Sequence, residues 1–153
     1  MDALSPARID LAPLEEMVGY NIHILDLLLY QAFYERFADR AMTPGMYSAL
    51  LAIRHNPGIR HGTLADALLI QRPNMTTLIN RLDRDGYLER RYTAGDRRSI
   101  ALHLSAKGEK AVDRMQTLLQ AQDTKATAAL SEKERKTLLL LLRKLAAGLR
   151  QGA

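Results

Sequence analysis

The sequence predicts a mainly α-helical protein that carries one small β-ribbon. Apolar residues recur at three- and four-residue steps over long stretches near both ends of the chain, which indicates amphipathic helices. Between these stretches, a pair of shorter helical patterns precedes two alternating segments joined by a polar loop, the pattern of a β-hairpin. With 153 residues, 47% of them hydrophobic, the chain is long enough to bury a core, and we expect a single domain over residues 1–153.

The N-terminal region predicts one long helix over residues 13–38. Its apolar positions continue for more than six turns, so the helix has an uninterrupted apolar seam, and a second apolar set widens it. A helix this apolar needs more than one neighbour, so we expect part of it to pack against a second subunit. The seam consists of Leu14, Val18, Ile22, Leu25, Leu29, Phe33 and Phe37.

The central region, residues 43–104, opens with a helix that begins at the pair Thr43 and Pro44 and ends at Asn56. Ile59 and Arg60 are predicted to form a short strand. Residues 63–69 predict the first helix of a helix-turn-helix, with the turn at residues 70–71.

The second helix of the pair is predicted over residues 72–85, because Pro73 suits a helix start and Gly86 a helix end. One apolar stripe at helical spacing is formed by Met75, Leu78, Ile79 and Leu82. The opposite face has no carboxylate; it carries Pro73, Thr77, Asn80 and Arg84, and the flanks carry Asn74, Thr76 and Arg81.

Such a face suits the DNA major groove, because arginine pairs with guanine, asparagine with adenine, and threonine with a base edge or phosphate. An ordinary solvated helix face has a similar composition, so this helix alone leaves both interpretations open. The DNA-binding residues predicted on it are Arg72, Asn74, Thr76, Thr77, Asn80, Arg81 and Arg84.

A β-ribbon follows, with strands predicted over residues 87–92 and 99–104 and a polar loop over residues 93–98. A helix-turn-helix followed by such a ribbon is a winged helix-turn-helix. From Arg72 to Arg98 the sequence has seven arginines and four acids, so this segment supplies +3 of the formal net charge of +5. That excess suits neutralisation of DNA phosphates.

In the wing we predict DNA contacts from Arg90, Arg97 and Arg98. Arg90 and Arg91 lie on opposite faces of the strand, so one of the two is expected to face phosphate. Asp96 would repel phosphate, and we expect it to orient a wing arginine through an ion pair for insertion into the minor groove. The alternative is a solvated ion pair in the loop, which contributes little.

The C-terminal region predicts two further helices, over residues 105–129 and from about 131 to 149. Ser131 and Glu134 have the spacing of a capping box. The last helix is apolar nearly all round, which favours burial in a dimer; the alternative is a helical hairpin that packs on the N-terminal helix. Its apolar residues are Leu138, Leu139, Leu140, Leu141, Leu142, Leu145 and Leu149.

Three stretches resemble the MarR family of bacterial winged-helix regulators: residues 86–90, residues 96–98 and residues 102–108. Ser105 stands where threonine is usual in that family, which keeps a hydroxyl at the helix N-cap. The resemblance implies a homodimer in which the N- and C-terminal helices, about 13–38 and 105–149, form the dimerisation region. It also implies a small-molecule site, since members of the family often bind aromatic acids in a crevice between the dimer helices and the winged domain.

The candidates for that ligand site combine aromatic walls with hydrogen-bond donors. The alternative is that they are ordinary core and seam residues. They are His23, Tyr30 and Tyr34 on the first helix and Met46 and Tyr47 on the second.

The sequence has no cysteine, no phosphate loop, no GxSxG and no HExxH motif, and its four histidines form no i, i+4 pair. We therefore expect no catalytic site, no metal and no cofactor. The first residues lack a signal-peptide pattern and the longest aliphatic run is too short to span a bilayer, so we expect a cytoplasmic protein with no membrane partner. The pI near 9.7 favours an anionic partner.

Together these patterns predict a sequence-specific, DNA-binding transcriptional regulator. We expect a homodimeric repressor on an inverted-repeat operator in double-stranded DNA, released by a small aromatic or phenolic effector. Two alternatives share the fold: an architectural DNA-binding protein that responds to no ligand, and a winged-helix module for protein contact.

Overall fold

The structure is a computed structural model that describes residues 10–36, 42–93 and 96–151, with side chains described except at residues 36, 93 and 96–99. The chain forms two compact units, residues 1–38 and residues 39–153. The single domain expected from the sequence stays a prediction. In chain order the elements are α1 (Ala12–Glu15), α2 (Val18–Arg36), α3 (Pro44–His55), β1 (Ile59–Arg60), α4 (His61–Ala67), α5 (Arg72–Arg84), β2 (Leu88–Thr93), β3 (Asp96–Leu104), α6 (Ala106–Ala126) and α7 (Glu132–Gln151).

In the first unit, the prediction of one continuous helix is wrong, because the chain breaks between α1 and α2 at Glu16 and Met17. The side-chain amide of Asn21 donates to the carbonyl oxygens of Glu15 (2.7 Å) and Met17 (2.8 Å). A side chain that bonds nearby carbonyls offers the backbone an alternative to the regular helical pattern, which accounts for the break.

Helix α2 exposes most of its large apolar side chains. Phe33, by contrast, is buried. The exposed set contains much of the seam predicted from the sequence and comprises Val18, Ile22, Leu25, Leu27, Leu28, Leu29, Tyr30 and Tyr34.

In the second unit, α3 begins as predicted, with the Thr43 side chain accepting a hydrogen bond from the Met46 amide (3.2 Å). Ion pairs join α3 to α6: the Arg54 guanidinium lies 2.6 Å from Asp113 and 3.3 Å from Glu109. The hydrogen bond to Asp113 raises the pKa of Arg54. Apolar side chains from α3, α4, α5, β2, β3 and α6 form the core; the largest fully buried ones are Leu50, Ile53, Leu64, Met75, Leu82, Leu102 and Val112.

The sheet is antiparallel with the order β1-β3-β2, which confirms the short strand predicted at residues 59–60. The second strand of the ribbon is predicted to start at Ser99, and this is wrong because β3 begins at Asp96. Tyr92 pairs with Ile100 and Thr93 pairs with Asp96, so β3 has extra residues at this point and the strands are bulged. A bulge lets the pairing continue into the segment that the sequence predicted as loop.

Helix α4 spans residues 61–67, so the prediction of residues 63–69 is wrong at both ends. Leu69 adopts a left-handed conformation (φ 55°) and ends the helix. The Ile70 amide donates to the Ala65 carbonyl (3.0 Å) and the Leu69 amide to the Asp66 carbonyl (3.4 Å), which is the Schellman pattern. Glycine usually occupies the left-handed position, and leucine there gave no sequence signal for the end of the helix.

Helix α5 ends as predicted at the turn that contains Gly86, whose φ is 78°. The Tyr87 amide donates to the Leu82 carbonyl (2.8 Å) and the Gly86 amide to the Asp83 carbonyl (2.9 Å). This is the same Schellman pattern with glycine at the left-handed position. Helix α5 therefore has a fixed end immediately before β2.

The first turn of α6 packs against that turn. The Ser105 hydroxyl donates to the Gly86 carbonyl (2.6 Å) and accepts from the Gly108 amide (3.1 Å), as the predicted N-cap. The Lys107 ammonium donates to the Asp85 carbonyl (2.6 Å). Gly108 is buried, and a Cβ atom there would overlap the carbonyl oxygen of Tyr87. These contacts fix the start of α6 to the end of α5.

Helix α6 ends at Ala126 rather than near residue 129. The predicted capping box at the start of α7 is confirmed: the Glu134 carboxylate accepts hydrogen bonds from the Ser131 amide (2.8 Å) and hydroxyl (2.6 Å). These bonds lower the pKa of Glu134. The whole of α7 is exposed, including its leucines. No helix among the described residues is long and apolar enough to cross a membrane.

We predict that Gly108→Ala lowers the free energy of unfolding by about 1–3 kcal/mol, because the new methyl group forces α6 away from the Tyr87 backbone. Urea unfolding at fixed protein concentration measures the change. Gly45→Ala is the matched control, since a Cβ there would lie 3.7 Å from Leu78, an ordinary contact. Equal stability of the two variants would contradict this account of the α5–α6 contact.

Candidate nucleic-acid interface

Helix α5 has one buried and one exposed side. Met75, Ile79 and Leu82 are buried and Leu78 is partly buried, which confirms the predicted stripe. The opposite side is polar and cationic. The residues predicted there to bind DNA are exposed, apart from the partly buried Arg81; they are Arg72, Asn74, Thr76, Thr77, Asn80 and Arg84.

Near the start of α5, the Thr76 hydroxyl lies 2.9 Å from the Arg72 carbonyl and 3.2 Å from the Nε2 atom of His61. Because the hydroxyl proton goes to the carbonyl, the His61 ring nitrogen is the donor in the second bond. Arg72 also forms a long ion pair with Asp66 (3.6 Å). His61, on α4, therefore supports the flank of α5, a role that no sequence motif indicated.

At the other end of α5, Asp85 lies beside two arginines. Its carboxylate is 3.3 Å from the Arg84 Nε atom and 3.8 Å from the Arg81 Nε atom. Arg84 is largely exposed. Exposed ion pairs of this kind contribute about 0–1 kcal/mol, so a DNA phosphate competes readily for these guanidinium groups.

Arg90, on β2, bonds to two side chains of α5. Its Nη2 atom donates to Asn80 Oδ1 (2.6 Å), and its Nε atom lies 2.8 Å from Asp83 Oδ2. Asn80 and Asp83 are one helical turn apart, which places both on the side of α5 that faces β2. The wing strand and the exposed face of α5 are thus joined through one guanidinium group.

Arg91 points away from this cluster. Its guanidinium group bonds to Glu89 of the same strand (2.9 Å) and is largely exposed. The neighbouring Tyr92 is also exposed. The sequence left open which of Arg90 and Arg91 faces phosphate; of the two, Arg91 has the more exposed side chain. The predicted DNA contact of Arg90 stays a prediction.

The wing residues Asp96, Arg97 and Arg98 lie in β3, but their side chains are outside the described residues. The predicted ion pair from Asp96 and the predicted DNA contacts of the two arginines therefore stay predictions.

The ligand candidates are divided between the two units. In the first unit, His23, Tyr30 and Tyr34 are exposed, and the rings of Tyr30 and Tyr34 lie 6.4 Å apart. In the second unit, Met46 is buried and Tyr47 is partly buried. Burial raises the pKa of the Tyr47 hydroxyl, and the charge of Arg54 partly opposes this shift.

Within residues 10–36, 42–93 and 96–151, no group of three acidic, histidine or cysteine side chains could hold a metal ion. The expectations that the protein has no cofactor and no catalytic site stay predictions.

The fold and this site define a class: a winged helix-turn-helix DNA-binding protein, in which a polar, cationic helix lies beside a basic β-ribbon.

Comparison with known proteins then identifies the family. The model of the MarR family matches residues 42–99. A proposed transcriptional regulatory protein for the hcr operon of Thauera aromatica is 31% identical over 146 residues, which cover 92% of this chain and 88% of that protein. The HTH-type transcriptional regulator BilQ of Clostridium symbiosum is 33% identical over 101 residues, 66% of this chain and 70% of that protein.

Solved structures of transcriptional regulators share the fold of this chain. The transcriptional repressor CouR, bound to a 23-mer DNA duplex, has a TM-score of 0.85 and 29% identity over 92% of this chain and 99% of that chain. The transcriptional regulator SlyA shares the fold, with a TM-score of 0.81 and 21% identity over 88% of this chain and 95% of that chain. The chain belongs to the MarR family, and it is a DNA-binding transcriptional regulator.

We predict that Arg84→Ala weakens DNA binding because one phosphate contact is lost. The slope of log affinity against log salt concentration should become shallower by about one. Affinity is measured at several salt concentrations. Arg114→Ala, at an exposed position of α6, is the matched control and should leave the slope unchanged. Identical slopes for the two variants would remove Arg84 from the interface.

Proposed function

We propose that the protein is a homodimeric, ligand-released transcriptional repressor that acts in the cytoplasm on an inverted-repeat operator. The observation that carries this proposal is the exposed face of α5, where Thr77, Asn80 and Arg84 have no carboxylate among them. The polar, cationic chemistry of that face suits a major groove, and the wing would reach the adjoining minor groove.

The proposed dimer follows from apolar surface that a single chain leaves uncovered. Helix α2 in the first unit and helix α7 in the second each expose a series of large apolar side chains. Soluble proteins seldom leave such continuous apolar surface in water. We infer that a second copy of the chain covers these helices and brings two α5 helices together for one duplex.

A two-fold symmetric dimer presents the same reading surface twice, in opposite directions. Its operator is therefore an inverted repeat, with half-sites about one helical turn apart or a multiple of that distance. The similarity to CouR supports duplex DNA as the partner, since that repressor is bound to a DNA duplex. Repression would follow most simply from blocking the polymerase.

Release of the operator requires a ligand that favours a dimer in which the two α5 helices have the wrong spacing. To weaken DNA binding about a hundredfold, the ligand must prefer that form by roughly 2.7 kcal/mol. We propose that the ligand is a small aromatic or phenolic acid and that it contacts Tyr47, whose side chain is partly buried.

We predict that Leu141→Glu raises the dissociation constant of the dimer by about a hundredfold or more, because the interface would bury an unpaired carboxylate. Sedimentation over a range of protein concentrations measures this change, and operator affinity should fall with it. Ser48→Glu, at an exposed position of α3 outside the proposed dimerisation helices, makes the same change of charge and should stay dimeric. If Leu141→Glu sediments like Ser48→Glu, then α7 does not form the dimer interface.

The ligand proposal predicts that at least one phenolic carboxylic acid in a panel raises the melting temperature and weakens operator binding. Tyr47→Phe should weaken that ligand about tenfold, because a hydroxyl partner in a partly buried site is lost. Tyr92→Phe, at an exposed position of β2, is the control and should respond as the unmodified protein does. Equal effects in both variants would remove Tyr47 from the ligand site.

A further inference from the structure

The cluster of Arg90, Asn80 and Asp83 has a consequence for how α5 reads DNA. Arg90 bonds to α5 through two nitrogens of its planar guanidinium group: Nη2 donates to Asn80 Oδ1 (2.6 Å), and Nε lies 2.8 Å from Asp83 Oδ2. A guanidinium group held at two points has little freedom to rotate. Asp83 therefore fixes Arg90, and Arg90 in turn fixes the side-chain amide of Asn80.

The direction of the Asn80 amide follows from hydrogen-bond chemistry. Arginine has only donors, so the atom of Asn80 that faces Arg90 must be the amide oxygen. The amide nitrogen, with its two hydrogens, then points away from Arg90. Asn80 is exposed, so these donors are available to a bound duplex.

This orientation disfavours the base that asparagine usually reads. Asparagine recognises adenine by accepting from N6 and donating to N7. At Asn80 the first of these bonds would use the second lone pair of an oxygen that already accepts from Arg90, and the adenine N6 amino group would lie beside the Arg90 cation, which disfavours a further donor there. Guanine presents only the acceptors N7 and O6 at the same edge, and these suit the free amide hydrogens and the nearby positive charge.

We propose that Arg90 is a positioning residue that holds Asn80 as a hydrogen-bond donor, so that α5 selects guanine at the base that Asn80 contacts. The inference rests on the proposed function, because it requires α5 to read an operator. It differs from an adenine contact by Asn80 and from a direct DNA contact by Arg90, which the sequence suggested.

The test selects binding sites from a library of duplexes randomised in sequence, using the full-length protein and its variants. Asn80→Ala identifies the base pair that Asn80 reads, since preference disappears at that pair. The unmodified protein should prefer guanine there by about tenfold. In Arg90→Met the amide is free to rotate, and the preference at the same pair should move to adenine.

Arg91→Met is the matched control, because Arg91 is the next residue on β2 and bonds to Glu89 rather than to α5. It should weaken binding to all sequences alike and leave the selected base unchanged. In a protein that already carries Asn80→Ala, adding Arg90→Met should not change the base preference at that pair any further.

A measurement on the unmodified protein does not depend on the folding of any variant. Replacing the selected guanine by 7-deazaguanine, which lacks the N7 acceptor, should weaken binding about tenfold. Two results on the unmodified protein would overturn the proposal: selection of adenine at this pair, or no effect of 7-deazaguanine. Two results on the variants would also overturn it. Asn80→Ala could leave every base preference intact, or Arg90→Met could weaken binding to all sequences without changing the selected base. If the unmodified protein enriched no sequence, the proposed function itself would fail.

Discussion

The contact between the first turn of α6 and the turn that ends α5 fixes the position of α5 and its exposed face. Gly108 lets the α6 backbone reach the Tyr87 carbonyl, and any larger residue would separate the two. Ser105 and Lys107 bond to the carbonyls of Gly86 and Asp85, which the end of α5 leaves without helical partners. In the proposed dimer α6 belongs to the dimerisation region, so this contact would carry a change in dimer geometry to α5, the helix proposed to read DNA.

Electrostatics decides what the exposed face of α5 can bind. Its arginines form ion pairs that are mostly exposed and therefore weak, so DNA phosphates can replace the acidic partners at little cost. The pair of Arg90 and Asp83 is shorter, at 2.8 Å, and Arg90 also bonds to Asn80. The weak pairs suit affinity for any duplex, whereas the cluster of Arg90, Asn80 and Asp83 suits discrimination between bases.

Local signals in the sequence predicted much of the fold. Thr43, Ser105 and the pair of Ser131 and Glu134 cap helices as expected, and glycine ends α5. Two of the wrong predictions share a physical origin, because the structure uses unusual residues or contacts at those points. Leu69 takes a conformation that normally needs glycine, and the Asn21 amide, rather than proline, accompanies the break before α2. The exposure of α5 was predictable from helical periodicity. The cluster around Arg90 was not, because it joins a helix to a strand through tertiary packing that no periodicity reveals.

The central claim is that the exposed face of α5 distinguishes one DNA sequence from another. The most direct test is fluorescence anisotropy of the purified protein on a labelled duplex from its own upstream region, beside a scrambled duplex, at two salt concentrations. The account predicts a preference for the upstream region of about three orders of magnitude that persists at the higher salt concentration. Equal, steeply salt-dependent binding to both duplexes, with no other sequence preferred, would contradict it and indicate an architectural DNA-binding protein.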